Sequence, residues 1–372
     1  MILSVSLLAQ DKLVTITVIP DTIAPDERIC IAGNNTALGN WNPGLVSLEK
    51  MTPSAWSKTF TFKENQNIEF KLTKGSWNSE ALTENKSVPG NYSLTVSGDT
   101  TLIYTVKYWK SDVRDLQSPT SLPTGKVTGD VVYHKQMTGE YILPRDVVVW
   151  LPPGYDTNTG KRYPVLYMHD GQNIFDPASA SFGVDWQIDE TADSLMKNGI
   201  IRDVIIVGIY STWERMLEYT NTLKGHYYMK FVADKLKPFI DSAYRTLPDR
   251  ENTATGGSSA GGLISFMLLW EHNDLFLKAA CLSPAFKIEE IDYVLPVKNF
   301  NGKKDFLLYI DNGGIELEAR LQPGVDDMIS ALRDKGYKEG KDFEYFADKN
   351  AYHNEAAWAK RVWRFLELFY KK

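Results

Sequence analysis

The chain has 372 residues, too many for one typical domain and enough for two. Its 41 basic and 47 acidic residues give a formal net charge of −6 with no Lys/Arg run or basic stripe, so binding to nucleic acid or an anionic membrane has no electrostatic support. Hydrophobic residues make up 43%, which is ordinary for a globular chain that buries a sizeable core. Cys30 and Cys281 lie far apart and give no disulfide framework. No Cys/His spacing suits a metal, and neither a metal nor an organic cofactor is expected.

The N-terminus reads MILSVSLLAQDK. Residues 2–9 are apolar or small, and Ala9-Gln10 is a place where a secretory signal could end. A positive leading segment is missing, and the run is too short to span a membrane. Two readings stand: a first β-strand, or a clipped signal peptide. The second implies a secreted or periplasmic protein, the first a cytoplasmic one.

Residues 13–106 alternate in short β-rich runs: LVTITVIP, ICIAG, SKTFTF, IEFKLT, NYSLTV and TLIYTV. Turn residues such as APDE, NNTALGN, VPGN and SGD separate them. This spacing predicts an immunoglobulin-like β-sandwich over residues 1–108. Residues 109–127, with two prolines and several Ser/Thr, read as a linker.

From residue 128 to 372 the pattern changes. Continuous apolar runs at 146–152, 164–169, 203–209, 278–283 and 306–310 fit strands covered on both faces. Amphipathic segments near 187–198, 226–244, 260–270, 322–336 and 354–370 alternate with them. The alternation predicts a doubly wound, mostly parallel α/β sheet.

In such a sheet reactive groups gather at the carboxyl ends of the strands. The stretch TATGGSSAGGLIS (253–265) sits where a short strand hands over to an apolar helix. Within it, Gly257-Ser258-Ser259-Ala260-Gly261 fits G-x-S-x-G with Ser259 central. Small residues at 257 and 261 let strand and helix approach, and the Ala260 N–H is placed to receive an oxyanion.

A serine nucleophile needs a base. Of the five histidines, His353 follows the strand-like KDFEYFA and opens the last helix, where the base belongs in the order Ser, acid, His. The acid should follow the preceding strand, in KKDFLLYIDNGGIELEARLQPG. Glu316 is favoured, with Glu318 and Asp311 as competitors. The second oxyanion donor is expected in HDGQNIFD, from the N–H of Gly171 or Gln172.

Together, PVLYMHDGQNIFD, FGVDWQIDE, IIVGIYSTWERMLEY, LKPFIDSAYRTLPDRENTATGGSSAGG and YHNEAAW resemble the esterase D-like α/β-hydrolases, which include feruloyl, acetylxylan and siderophore esterases. The resemblance covers roughly residues 126–372. It implies Ser259 as nucleophile and His353 as base, and puts the acid at or near Glu316. It also implies that the loop carrying Arg215, Glu218 and Tyr219 borders the pocket, making Arg215 and Tyr219 candidate substrate contacts. The residues themselves equally fit an Arg–Glu pair bracing that loop. The first domain is similar to family 20 starch-binding modules through IAGNNTALGNWNP, Trp56 and IEFKLTKGSW. That similarity implies Trp41, Lys71 and Trp77 as sugar contacts.

The expectation is a serine carboxylic ester hydrolase acting on an ester-bearing small molecule or glycan, by removal of acetyl or feruloyl groups from a plant polysaccharide. The alternatives are a siderophore esterase and a retired hydrolase that only binds glycan.

Overall fold

The computed structural model describes residues 10–24, 27–52, 54–84, 88–112 and 127–372. The possible signal at 2–9 and most of the expected linker lie outside the described residues. The chain divides into two compact units, residues 1–120 and 121–372.

The first unit is β-rich. Its strands are β1 (Asp11–Pro20), β2 (Cys30–Gly33), β3 (Val46–Ser47), β4 (Glu49–Thr52), β5 (Ala55–Lys63), β6 (Asn67–Thr73), β7 (Ala81–Leu82), β8 (Tyr92–Thr95), β9 (Thr100–Val106) and β10 (Tyr108–Trp109). They form two four-stranded sheets, β4-β5-β1-β9 and β3-β2-β6-β8, plus the short pair β10-β7. Alternation explains the packing. Val14, Ile16 and Val18 of β1 point inward with Phe60 and Phe62 of β5, and meet Ile68, Phe70 and Leu72 of β6 in one core.

The second unit carries β11 (Asp130–Gly139), β12 (Ile142–Leu151), β13 (Val165–His169), β14 (Ile205–Ile209), β15 (Thr253–Ser258), β16 (Lys278–Leu282), β17 (Lys287–Ile288), β18 (Ile291–Asp292), β19 (Leu307–Asn312) and β20 (Phe343–Ala347). Eight of them form one sheet in the order β11-β12-β14-β13-β15-β16-β19-β20. The six strands from β14 to β20 run parallel, and β11 and β12 close one edge antiparallel. The helices are α1 (Ile188–Lys197), α2 (Arg215–Glu218), α3 (Leu223–Phe231), α4 (Lys237–Ala243), α5 (Ala260–Glu271), α6 (Val294–Asn299), α7 (Leu317–Asp334), α8 (Glu355–Ala359) and α9 (Val362–Tyr370).

Both faces of this sheet are covered. Val147 and Val149 join a core with Tyr228 of α3, Leu263 of α5 and Leu332 of α7. Their neighbours Val148 and Trp150 join another with Ile188 of α1 and Phe365 of α9. The continuous apolar strands need this arrangement, because both of their faces must leave water.

Helix α5 follows the central strand β15 and is apolar all round. Every residue from Ala260 to Trp270 is buried. Burial of Leu263, Ile264, Phe266, Met267, Leu268 and Leu269 at about 1.5–3 kcal/mol each anchors the turn that precedes the helix.

Candidate active site

Strand β15 passes into α5 through Ser259, whose φ of 57° and ψ of −123° are sparsely populated for a residue with a side chain. Such a conformation costs on the order of 1–3 kcal/mol and persists only where its surroundings enforce it. The enforcement is visible. A Cβ on Gly257 would lie 2.7 Å from the Gly261 carbonyl oxygen, so the turn closes only around glycine. Ser259 N donates to Leu282 O at 2.9 Å, and Ala285 N donates to Ser259 O at 3.1 Å. From 253 to 270, Ser259 is the one residue that is not buried. Its hydroxyl makes no cap bond to α5. The Ala260 N–H opens α5, where helix geometry provides no partner and the dipole favours negative charge.

His353 lies between β20 and α8, against the edge of the Trp358 ring at 4.9 Å. Its Nδ1 is 3.4 Å from Glu318 Oε1, long and off-axis for a hydrogen bond but within reach of a small ring rotation. Glu318 is completely buried. It accepts from Ser283 Oγ at 2.6 Å and from Gly313 N at 2.9 Å. Burial pushes its carboxyl up, but the His353 ring and these two donors outweigh burial and bring it below the ordinary range. No hydrogen bond joins Ser259 to His353 among the described residues. The ring's Nε2 is the nitrogen that Glu318 leaves free for such a contact.

The carboxylate beside His353 is therefore Glu318, not the favoured Glu316. The reason lies in where α7 begins. The sequence pattern places the helical segment near 322–336. The structure starts it at Leu317 and carries Pro323 inside it. Glu316 is the residue ahead of the first turn, at φ 57° and ψ −118°, and Glu318 within that turn points back to Gly313. The third candidate, Asp311, is buried against Arg361 Nε and Tyr309 Oη, each at 3.0 Å.

The loop after β13 begins at Asp170 and turns through Gly171–Asn173. A Cβ on Gly171 would lie 2.4 Å from the Gly208 carbonyl carbon, so only glycine lets this loop rest on β14. Gly171 is buried and Gln172 half-buried. The Gln172 side chain exchanges bonds with Ser211: its Nε2 donates to Oγ at 2.8 Å, and its Oε1 accepts from Ser211 N at 3.1 Å.

Arg215 grips Asp170 in a two-pronged pair, Nε to Oδ1 and Nη2 to Oδ2, both 2.7 Å, and reaches Ser258 O at 3.4 Å. The anticipated Arg–Glu brace exists with a different arginine: Glu218 pairs with Arg145, both fully buried. Tyr219 does not line the pocket as expected. It is fully buried, and its hydroxyl accepts from Asp170 N at 3.3 Å.

Beside His353 is a cavity of about 360 Å³ lined by Phe182, Val184, His353, Asn354, Glu355 and Ala356. Burial pushes the Glu355 carboxyl up to about 7. Asn173 Nδ2 approaches it at 3.5 Å, linking the loop after β13 to the start of α8.

In the first unit, Trp41 and Trp77 are partly exposed on adjoining loops, tied where Thr73 Oγ1 donates to Pro43 O at 2.6 Å. Lys71 does not fit the expected role of sugar contact. It is 8% exposed, and its Nζ lies 3.2 Å from Glu80 Oε2 inside the domain.

Sequence reasoning missed Asp170, Ser283, Glu355 and Arg361. A polar residue just past an apolar strand run is the available signal for Asp170 and Ser283. None exists for Arg361, which lies 50 residues from Asp311.

Residues 143–366, more than half of the chain, match the family model named Esterase, and residues 12–102 match that of the starch binding domain. An uncharacterized protein, YbbA, from Bacillus subtilis is 21% identical over 61% of this chain and 93% of its own length. An endo-1,4-beta-xylanase/feruloyl esterase from Xylanibacter ruminicola is 24% identical over 60% of this chain, which spans only 29% of that relative. Among solved structures, a ferulic acid esterase superposes with a TM-score of 0.56 at 20% identity, over 66% of this chain and 98% of that one. The chain belongs to the Esterase family, and is a carboxylic ester hydrolase carrying a starch binding domain ahead of its hydrolase unit.

Proposed function

We propose that Ser259, His353 and Glu318 form a catalytic triad that removes acetyl or feruloyl groups from a plant polysaccharide. The observation that carries this is Ser259 itself: strained, uncapped and, from 253 to 270, the one residue that is not buried. Ser259 Oγ attacks the ester carbonyl carbon while His353 Nε2 takes its proton. The oxyanion rests on the N–H of Ala260 and that of Gly171 or Gln172. The alkoxide leaves with the proton held on His353. Water then attacks the acyl-enzyme by the same route and releases the acid.

Several features support the substrate class. The cavity beside His353 counts Phe182 and Val184 in its lining, apolar enough for an aromatic acyl group. The Xylanibacter relative is named a feruloyl esterase. In the first unit, which we read as an immunoglobulin-like sandwich, Trp41 and Trp77 give flat surfaces for pyranose rings. A polysaccharide substrate also favours a secreted or periplasmic site of action.

The test is hydrolysis of p-nitrophenyl acetate and methyl ferulate by wild type beside Ser259→Ala. Turnover of both by wild type, with a loss of about 10⁶-fold in the variant, is the expected result. Turnover that survives Ser259→Ala removes the triad.

A further inference from the structure

We propose that Ser283 is a positioning residue that aims its only proton at Glu318 and so keeps this acid ionised and facing His353. This rests on the triad reading above.

The argument is a count of donors. A serine hydroxyl has one proton and two lone pairs. Trp358 Nε1 approaches Ser283 Oγ at 3.0 Å, and Arg361 Nη2 approaches it at 3.1 Å. Indole and guanidinium donate and never accept, so both lone pairs are taken. One polar neighbour remains, Glu318 Oε1 at 2.6 Å, and the proton must go there. A carboxylic acid protonated on that oxygen would face a donor with a donor. A proton on Oε2 would likewise meet the Gly313 N–H, so with a donor aimed at each oxygen the arrangement selects the carboxylate. With Oε2 filled by Gly313 N, Oε1 is left to receive His353 Nδ1–H. That fixes the tautomer in which Nε2 is the base.

The second role of Ser283 is geometric. It sits fully buried at the end of β16 with φ 44°. Its N–H donates to Asp311 O at 2.9 Å and lies 3.3 Å from Asp311 Oδ1. Asp311 in turn holds Arg361 at 3.0 Å, which delivers Nη2 to the Ser283 hydroxyl. The flanking residues Leu282 and Ala285 hold the backbone of Ser259. One short loop thus grips the nucleophile by its main chain and the acid by a side chain. Asp311, at the strand end where a triad acid is usually sought, acts here through Arg361.

The experiment is a double-mutant cycle on p-nitrophenyl acetate with Ser283→Ala, Glu318→Ala and the double variant. Ser283→Ala is expected to lower kcat about 10- to 100-fold with KM within about three-fold, because what is lost is orientation of the acid. In the Glu318→Ala background the same change should cost less than about two-fold. An equal loss in both backgrounds overturns the proposal and leaves the triad standing. A Glu318→Ala enzyme as active as wild type removes the triad reading instead. Ser283→Cys, with a weaker donor in similar volume, is expected to fall between wild type and Ser283→Ala. It decides the matter if the alanine variant does not fold: wild-type kcat in the cysteine variant overturns the proposal.

Discussion

Glu318 Oε1 lies 3.4 Å from His353 Nδ1, and the two residues reach each other across 35 positions of sequence. Glu318 comes from the first turn of α7 and His353 from the loop after β20. Each is fixed by its own strand end, and the pair forms only because β19 and β20 are neighbours in register, Asp311 beside Phe346. A carboxylate buried this deeply needs its partners, since leaving it unpaired costs several kcal/mol.

This geometry separates two adjacent carboxylates. Glu318→Ala is expected to lower kcat about 10³- to 10⁴-fold, the usual loss when a triad histidine is misoriented. Glu316→Ala should stay within about ten-fold of wild type, because the carboxylate beside His353 is that of Glu318 and alanine, which keeps a Cβ, leaves the backbone strain at φ 57° as it was. Steady-state kinetics on p-nitrophenyl acetate reads both. A larger loss at Glu316 would return the acid to that position.

Gly171→Ala tests the loop after β13. The added Cβ would meet the Gly208 backbone at 2.4 Å, so the loop must lift. A displacement of about 1 Å of an oxyanion donor is expected to cost about 10²-fold in kcat. Overpacking adds a stability loss of about 1–3 kcal/mol, seen as a lower urea midpoint. Unchanged kcat in a destabilised variant would exclude this loop from the reaction.

Glu355 gives a pH signature. Burial lifts its carboxyl to about 7 in the folded chain, against an ordinary value of 4.5. The folded state therefore binds this proton more tightly than the unfolded state. The resulting stability is fully present below about 4.5 and is lost as pH rises through about 7. The neighbouring groups are Asn173, Asp170 and Arg215. Glu355→Gln mimics the protonated form at every pH. Relative to wild type it should gain stability between pH 5 and pH 8, by at most roughly 3 kcal/mol. Parallel melting curves across that range would contradict this.

The first unit makes a separate prediction. Trp41→Ala and Trp77→Ala should each weaken retention on insoluble starch or xylan. A tethered module acts by raising local substrate concentration, so turnover of soluble p-nitrophenyl acetate should stay within about two-fold. Retention unchanged in both variants would assign binding elsewhere. Lys71 is expected to contribute to stability through Glu80 and not to sugar affinity.

What the sequence determined by itself is local. Period-two alternation in LVTITVIP set the inward face of β1, and continuous apolar runs such as PVLYMH marked strands covered on both sides. The Gly257-x-Ser259-x-Gly261 turn was legible because its geometry admits so few residue types at the crossing. His353 was legible from its place after the last strand. Tertiary structure decided the rest, because those choices depend on contacts distant in sequence. The start of α7, and with it Glu318 over Glu316, depends on Gly313 packing where a Cβ would meet Ala351 O at 2.5 Å. Tyr219 went inward because Asp170 and His169 offered its ring and hydroxyl partners, and Lys71 turned to Glu80. The Ser283 hydroxyl gained its meaning from Trp358 and Arg361, 75 and 78 residues away. Hydrogen-bond donors are counted in space, and a pattern of neighbours along the chain holds no record of them.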